Sequence, residues 1–112
     1  MIGKTIYEYD GFGFKFGMYA SAIIEKESGT SISGLIKRMN IEGEATLAIL
    51  QYFYGGAVAY EAHKKSGRTV TMDEVADMIE KIGDQESVRI FNESLGVPKN
   101  LEAPKTEEPT PQ

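Results

Sequence analysis

The chain has 112 residues, a formal net charge of −5 and a hydrophobic fraction of 41%, which predict one folded domain of modest stability. The acidic charge disfavours nucleic-acid binding, which draws on clustered lysine and arginine, and the lack of cysteine excludes disulfides and thiolate metal sites. No apolar run has the length of a membrane span, and the N-terminus lacks the apolar core of a signal peptide. We therefore expect a cytoplasmic protein without a membrane partner.

The first predicted element is a β-hairpin over residues 4–16, where aromatic and other side chains alternate around Asp10-Gly11. A two-residue turn at this dipeptide would pair Tyr9 with Phe12, Tyr7 with Phe14 and Thr5 with Phe16. The five aromatic rings would then share one face of the hairpin. Because an isolated hairpin is marginally stable, this face must be covered. We expect it to pack in the core, and the alternative is a hairpin that also pairs its edge with a neighbouring subunit.

Helical spacing follows the hairpin. The first helix is predicted from Gly17 to a C-terminal cap at Gly29, the second begins at an N-cap on Ser31, and the third spans residues 44–65. Apolar positions at three- and four-residue steps include Tyr19, Ala20, Ile23 and Ile24 in the first helix and Leu47, Leu50, Tyr54 and Val58 in the third. The breadth of its apolar surface predicts that the third helix is central.

The most distinctive stretch of the third helix is an aromatic-rich run with paired glycines, Gly55-Gly56. Each glycine costs a helix roughly 1 kcal/mol relative to alanine, so a tertiary contact should offset the cost. One interpretation is close packing of a neighbouring element against the two glycines. The other is a kink or a break into two helices.

The fourth helix has the clearest start signal, a capping box formed by Thr71 and Glu74. Gly83 ends this helix, and a fifth helix follows as far as Gly96. The predicted inner faces comprise Met72, Val75, Met78, Ile79 and Ile82 in the fourth helix and Val88, Phe91 and Leu95 in the fifth. The fold class is thus mainly α (α+β): an N-terminal hairpin and about five helices in a domain over residues 1–96, then a disordered tail rich in proline and glutamate over 97–112.

No pattern for catalysis or metal binding is present. His63, the only histidine, adjoins two lysines near a helix end and lacks the partners that a catalytic or metal-bound histidine needs. The carboxylates of Asp73 and Asp77 fit an exposed helix face, and the glycines of the hairpin lack the Lys-Ser/Thr of a phosphate loop. We expect no cofactor, no metal and no enzymatic activity. A small enzyme or ligand carrier stays open as a minor alternative.

The order of these elements, together with the glycines and polar residues that separate them, resembles that of a known family over residues 4–95. The segments that carry the resemblance are Phe14-Lys15-Phe16-Gly17-Met18, Glu27-Ser28-Gly29-Thr30-Ser31, Leu50-Gln51-Tyr52-Phe53-Tyr54-Gly55-Gly56 and Thr69-Val70-Thr71-Met72-Asp73-Glu74-Val75, before a charged tail with prolines. The chain looks like the tail assembly chaperones of long-tailed phages and prophages of Gram-positive type.

This resemblance implies a role without catalysis. Such chaperones coat the aggregation-prone tape measure protein during tail assembly and give way as tail tube protein polymerises around it. The expected partners are the tape measure protein, the tail tube protein and further copies of this chain. Eight aromatic residues are expected to divide between the core and a surface for clients or self-association: Tyr7, Tyr9, Phe12, Phe14, Phe16, Tyr52, Tyr54 and Tyr60. Those more than half exposed would be the binding candidates.

Two other functions stay open. A small helical regulator could bind nucleic acid through the basic spots at Lys37-Arg38 and residues 64–68, although we favour their interpretation as solvated helix ends. The chain could also be a protein-interaction domain with no assigned partner.

Overall fold

The computed structural model describes residues 5–95 as an antiparallel two-stranded hairpin followed by five helices. The elements are β1 (Ile6–Tyr9), β2 (Phe12–Lys15), α1 (Met18–Ser28), α2 (Ile32–Arg38), α3 (Ala45–Lys64), α4 (Met72–Ile82) and α5 (Asp84–Ser94). The predicted fold class is confirmed. The predicted tail over 97–112 lies outside the described residues.

The hairpin has the predicted turn and register. Asp10 and Gly11 have φ angles of 23° and 81°, both positive, as a two-residue hairpin turn of the primed type requires. Tyr9 pairs with Phe12 and Tyr7 pairs with Phe14. The amide of Phe16 donates a hydrogen bond of 2.7 Å to the carbonyl of Thr5, which extends the pairing beyond the strands.

The central helix α3 is unbroken through its two glycines, so the interpretation as two helices is wrong. A Cβ atom on Gly55 would collide with the side chain of Ile24 and lie 3.0 Å from the carbonyl oxygen of Ala20, both in α1. A Cβ atom on Gly56 would lie 2.5 Å from the ring of Phe16. The glycines therefore let α1 and the end of the hairpin approach the backbone of α3 closely, as the close-packing interpretation expects.

An aromatic core joins the hairpin, α3 and α5. Phe16 stacks on Tyr52 with ring centroids 4.8 Å apart, and Phe14 meets Phe53 edge to face at 5.3 Å. Phe91 of α5 meets the other side of the cluster through Tyr52, at 4.9 Å. Pairs with these geometries contribute roughly 0.5–1.5 kcal/mol each beyond the burial of their area. This cluster fixes the hairpin and α5 against the central helix.

The capping box of α4 is confirmed. The amide of Glu74 donates to the hydroxyl of Thr71 at 3.2 Å, and the carboxylate of Glu74 accepts from the amide of Thr71 at 3.1 Å. Both bonds satisfy amides that the first turn of a helix leaves without partners.

Three apolar positions predicted to face the core are exposed instead. The exposed fractions are 54% for Tyr19, 56% for Leu47 and 57% for Val88. On α1 and α3 the buried residues are the next ones along the chain, Ala20 and Ala48, and each step turns a helix by about 100°. On α5 the hairpin tyrosines bind Glu86 and Glu93, and Val88 lies on the other side of the helix.

Replacing Gly56 with alanine is expected to destabilise the fold by up to about 2 kcal/mol. Overpacking costs about 1–3 kcal/mol, and the gain in helix propensity of about 1 kcal/mol offsets part of that cost. Phe16 cannot retreat easily, because it is buried and stacked on Tyr52. Urea unfolding of Gly56→Ala, Phe16→Leu and the double variant measures the effect. The cost of the alanine should shrink in the Phe16→Leu background; additive costs would show that the two residues do not clash.

Candidate functional site

The eight aromatic candidates lie mostly in the core. Tyr7, Phe12, Phe14, Phe16, Tyr52 and Tyr60 are buried, and Tyr9 and Tyr54 are partly buried. No ring among the eight meets the expected condition of being more than half exposed. The six buried rings are therefore corrected to core residues. α3 and α5 cover the aromatic face of the hairpin, and Tyr60 packs on the opposite face beside Glu8 and Gly13. Helix faces take over as the candidate surface.

Two hairpin tyrosines bind one face of α5. The hydroxyl of Tyr7 donates to the carboxylate of Glu93 at 3.2 Å, and that of Tyr9 donates to Glu86 at 2.6 Å. Arg89 lies between these carboxylates and donates to Glu93 at 2.9 Å. Since Val88 is about 200° around the helix from Glu86, its side chain is directed away from the hairpin.

Tyr54 lies beside the loop between α3 and α4, and Tyr60 contacts the hairpin. Tyr54 lines a hollow of about 310 Å³ beside the loop that joins α3 to α4. In that hollow Glu61 is buried and accepts hydrogen bonds from Ser66 and Arg68. The hydroxyl of Tyr60 donates to the carboxylate of Glu8 at 2.7 Å. These bonds hold the loop and the outer face of the hairpin.

An apolar groove between α3, α4 and α5 is the candidate site. It consists of two adjoining hollows of about 520 Å³ and about 190 Å³, which share Ile49, Ser87 and Val88. The principal apolar walls are formed by Ile49, Leu50 and Phe53 of α3, Ile79 of α4, and Val88 and Phe91 of α5. Ile49 is 37% exposed, and Val88 is the more exposed of the two. We call this feature the apolar groove.

The groove combines an apolar interior with an acidic rim. The one polar residue common to both hollows, Ser87, is buried and donates its hydroxyl to the carbonyl of Gly83 at 2.8 Å. An apolar side chain in the groove would therefore not break a hydrogen bond of Ser87 to solvent. Glu80 and Asp84 line the wider end, and no lysine or arginine lines either hollow. The arrangement can bind an apolar segment and favours positive charge beside it.

Sequence reasoning missed the groove because it assigned apolar residues to inner faces. Val88 was placed on the inner face of the fifth helix, and Ile49 was not singled out. A usable signal was the excess of apolar positions on α3: such residues occur on more of its circumference than a single stripe needs. Periodicity alone does not say which part of that circumference neighbouring elements leave open.

The described residues contain no group of three or more His, Asp or Glu side chains placed to hold a metal ion. His63 is exposed in the last turn of α3. The basic spots are partly occupied by contacts within the chain: Arg38 donates to the carbonyl of Ser28 at 2.8 Å, and Arg68 donates to Glu74 at 2.8 Å. Lys64 lies 5.2 Å from the centre of the Tyr60 ring.

The tyrosines around α5 predict that stability falls at alkaline pH. Burial, reinforced by the Glu86 carboxylate, raises the pKa of Tyr9 to about 12, and burial raises the pKa of Tyr52 to about 12. Burial and the charge of Glu93 also raise the pKa of Tyr7. Unfolded tyrosine ionises near pH 10, so between about pH 10 and 12 the unfolded chain binds fewer protons than the native one. Stability is fully present below about pH 10 and falls as the pH rises towards 12.

Urea unfolding at several pH values between 8 and 12, with tyrosinate absorbance as a second signal, tests this prediction. Tyr9→Phe should show a smaller alkaline loss than the wild type, because its ring cannot ionise. An equal loss in both proteins would mean that Tyr9 does not contribute.

Comparison of the chain with protein-family models, with curated proteins and with solved structures gave no significant match. None of the helices between residues 5 and 95 has both the length and the apolar character needed to cross a bilayer.

Proposed function

We propose that this chain is a phage tail assembly chaperone, which binds the tape measure protein and keeps it soluble while the tail is built. The observation that carries the proposal is the apolar groove, with Ile49 and Val88 open to solvent. An apolar surface left open on a small domain is typical of a site for another protein. The resemblance of residues 4–95 to tail assembly chaperones supplies the identity of the client.

The groove suits a chaperone that must release its client. Its walls belong to helices that pack on one another within the chain, α3 on α4 and α4 on α5. Exposed anchors such as Val88 give binding energy that a competing surface can replace. In this proposal the tail tube protein displaces the chaperone as it polymerises around the tape measure protein in the host cytoplasm. The net charge of −5 favours solubility of the complex.

A second exposed apolar site is available for self-association. Met18 is 90% exposed at the start of α1, next to the half-exposed Tyr19. α1 packs on α3 through Gly55, which lies about 180° around α3 from the groove residue Thr46. In our proposal copies of the chain associate through this site along a client while their grooves remain available.

The alternative functions have less support. A nucleic-acid regulator would need basic side chains free to neutralise phosphates, whereas Arg38 and Arg68 form ion pairs with Glu44 and Glu74. An enzyme would need convergent titratable groups in a pocket, and the carboxylate of Glu61 is occupied by Ser66 and Arg68. No observation favours either function over protein binding.

Co-expression with the tape measure protein of the same genome tests the proposal. The soluble fraction is purified through a tag on the tape measure protein and analysed by size exclusion with light scattering. We expect a soluble complex of fixed stoichiometry that is lost when this chain is omitted. A tape measure protein that is equally insoluble with and without the chain would contradict the proposed function.

A further inference from the structure

We propose that the apolar groove binds an amphipathic helix whose apolar stripe is flanked by lysine or arginine. This inference rests on the proposed function, since it specifies the chemistry of the client segment that the chaperone would hold. Three observations carry it: the length of the groove, the state of the backbone groups in its walls, and the charge of its rim.

The groove has the length of two helical turns. Along α5 its lining runs from Asp84 to Phe91, and along α3 it runs from Thr46 to Phe53. Each of these seven-residue steps measures about 10 Å at 1.5 Å per residue. A helix that places apolar side chains at positions i, i+3 or i+4, and i+7 presents its anchors over the same distance.

The walls favour a helical occupant over an extended one. An extended peptide gains affinity by adding to the edge of a sheet, where backbone groups are available for pairing. Apart from Met39 and the first-turn residues Thr46 and Asp84, the lining of the groove belongs to α3, α4 and α5 beyond their first turns, where the amides are paired within each helix. An extended peptide in the groove would bury amides and carbonyls without partners, whereas a helix satisfies its own backbone groups.

The rim favours positive charge on the occupant. Glu80 and Asp84 line the groove, and neither forms an ion pair among the described residues. Arg89, the arginine of α5, is held by Glu86 and Glu93 on the face turned towards the hairpin. The rim of the groove therefore presents one carboxylate from α4 and one from α5, neither in an ion pair among the described residues. Lysine or arginine beside an apolar stripe would complement them.

Two fluorescent peptides of about 14 residues, or four helical turns, test the proposal. Both carry leucine at the i, i+3, i+4 and i+7 positions; one has lysine at the flanking positions and the other has glutamate. Anisotropy titrations compare the two peptides at low and high salt. We expect the lysine peptide to bind at least about tenfold more tightly at low salt, and the difference to shrink at high salt.

Variants of the protein assign the effect to the groove. Glu80→Gln combined with Asp84→Asn should remove most of the preference for lysine. Glu25→Gln combined with Glu27→Gln makes the same change of charge on exposed positions of α1 and should keep the preference. Val88→Ser should weaken both peptides, and Leu47→Ser, at a position equally exposed but outside the groove, should weaken neither.

Equal affinity for the two peptides, or a preference that survives loss of both rim carboxylates, would overturn the proposal. A free protein that is a dimer, and becomes a monomer on Val88→Ser, would also overturn it, because a second copy would then be the occupant. The co-expression assay separates this inference from the proposed function. If the chain keeps the client soluble but binds both peptides equally, only this inference is refuted. If the client stays insoluble, the proposed function is refuted.

Discussion

Replacing Phe14 with alanine is expected to lower the free energy of unfolding by about 3–5 kcal/mol. Phe14 is fully buried at the centre of the aromatic cluster, with ring centroids 5.6 Å from Phe12, 6.1 Å from Phe16 and 5.3 Å from Phe53. The alanine would leave a cavity that three rigid rings cannot fill. A small domain has a total stability of about 5–15 kcal/mol, so much of it would be lost.

Tyr19→Ala provides the control for this variant. Tyr19 is an aromatic residue on α1 with more than half of its surface exposed, and its loss should change stability by no more than about 0.5 kcal/mol. Both variants are measured by urea unfolding followed by circular dichroism. Comparable losses in the two proteins would mean that the hairpin does not pack on α3 and α5 as described.

Replacing Val88 with aspartate is expected to weaken the proposed binding of the tape measure protein more than about tenfold while the domain stays folded. The side chain is 57% exposed, so a charge there can remain solvated in the free protein. In the complex the same carboxylate would be buried against apolar client side chains and beside Asp84, which also lines the groove. Burying an unpaired carboxylate among apolar side chains is strongly unfavourable, and a cost of about 1.4 kcal/mol already weakens binding tenfold.

Leu47→Asp is the matched control for Val88→Asp. Leu47 has nearly the same exposure, 56%, and also lies on a helix, but it does not line the groove. The measurement is the soluble fraction of the tape measure protein on co-expression with each variant, after thermal unfolding has shown that both are folded. Equal loss of solubility with both variants would mean that general surface apolarity, rather than the groove, holds the client.

Local signals in the sequence predicted the hairpin and the helix ends well. Asp10-Gly11 determined the turn and hence the pairing of Tyr7 with Phe14, because a two-residue loop leaves one register. Thr71 and Glu74 determined the start of α4 through hydrogen bonds between residues three positions apart. Each of these features depends on a few neighbouring residues, and so it can be read without knowledge of the packing.

The candidate site could not be predicted in the same way. The hairpin aromatics were correctly grouped on one face, but whether that face is covered by α5 or by a partner depends on contacts across the whole chain. The hydrogen bond from Tyr9 to Glu86 joins residues 77 positions apart and helps to turn Val88 outwards. Periodicity placed Val88 on the inner face of the fifth helix. It could not show that the hairpin packs against the opposite face of α5.

Methyl NMR of the labelled protein, with and without a soluble fragment of the tape measure protein, tests most directly whether the groove is the client site. We expect the methyl signals of Ile49, Ile79 and Val88 to shift or broaden on addition of the fragment. Those of Leu47 and Ile41, which are exposed outside the groove, should stay in place. Shifts confined to Leu47, Ile41 or Met18, with Ile49 and Val88 unchanged, would contradict the account.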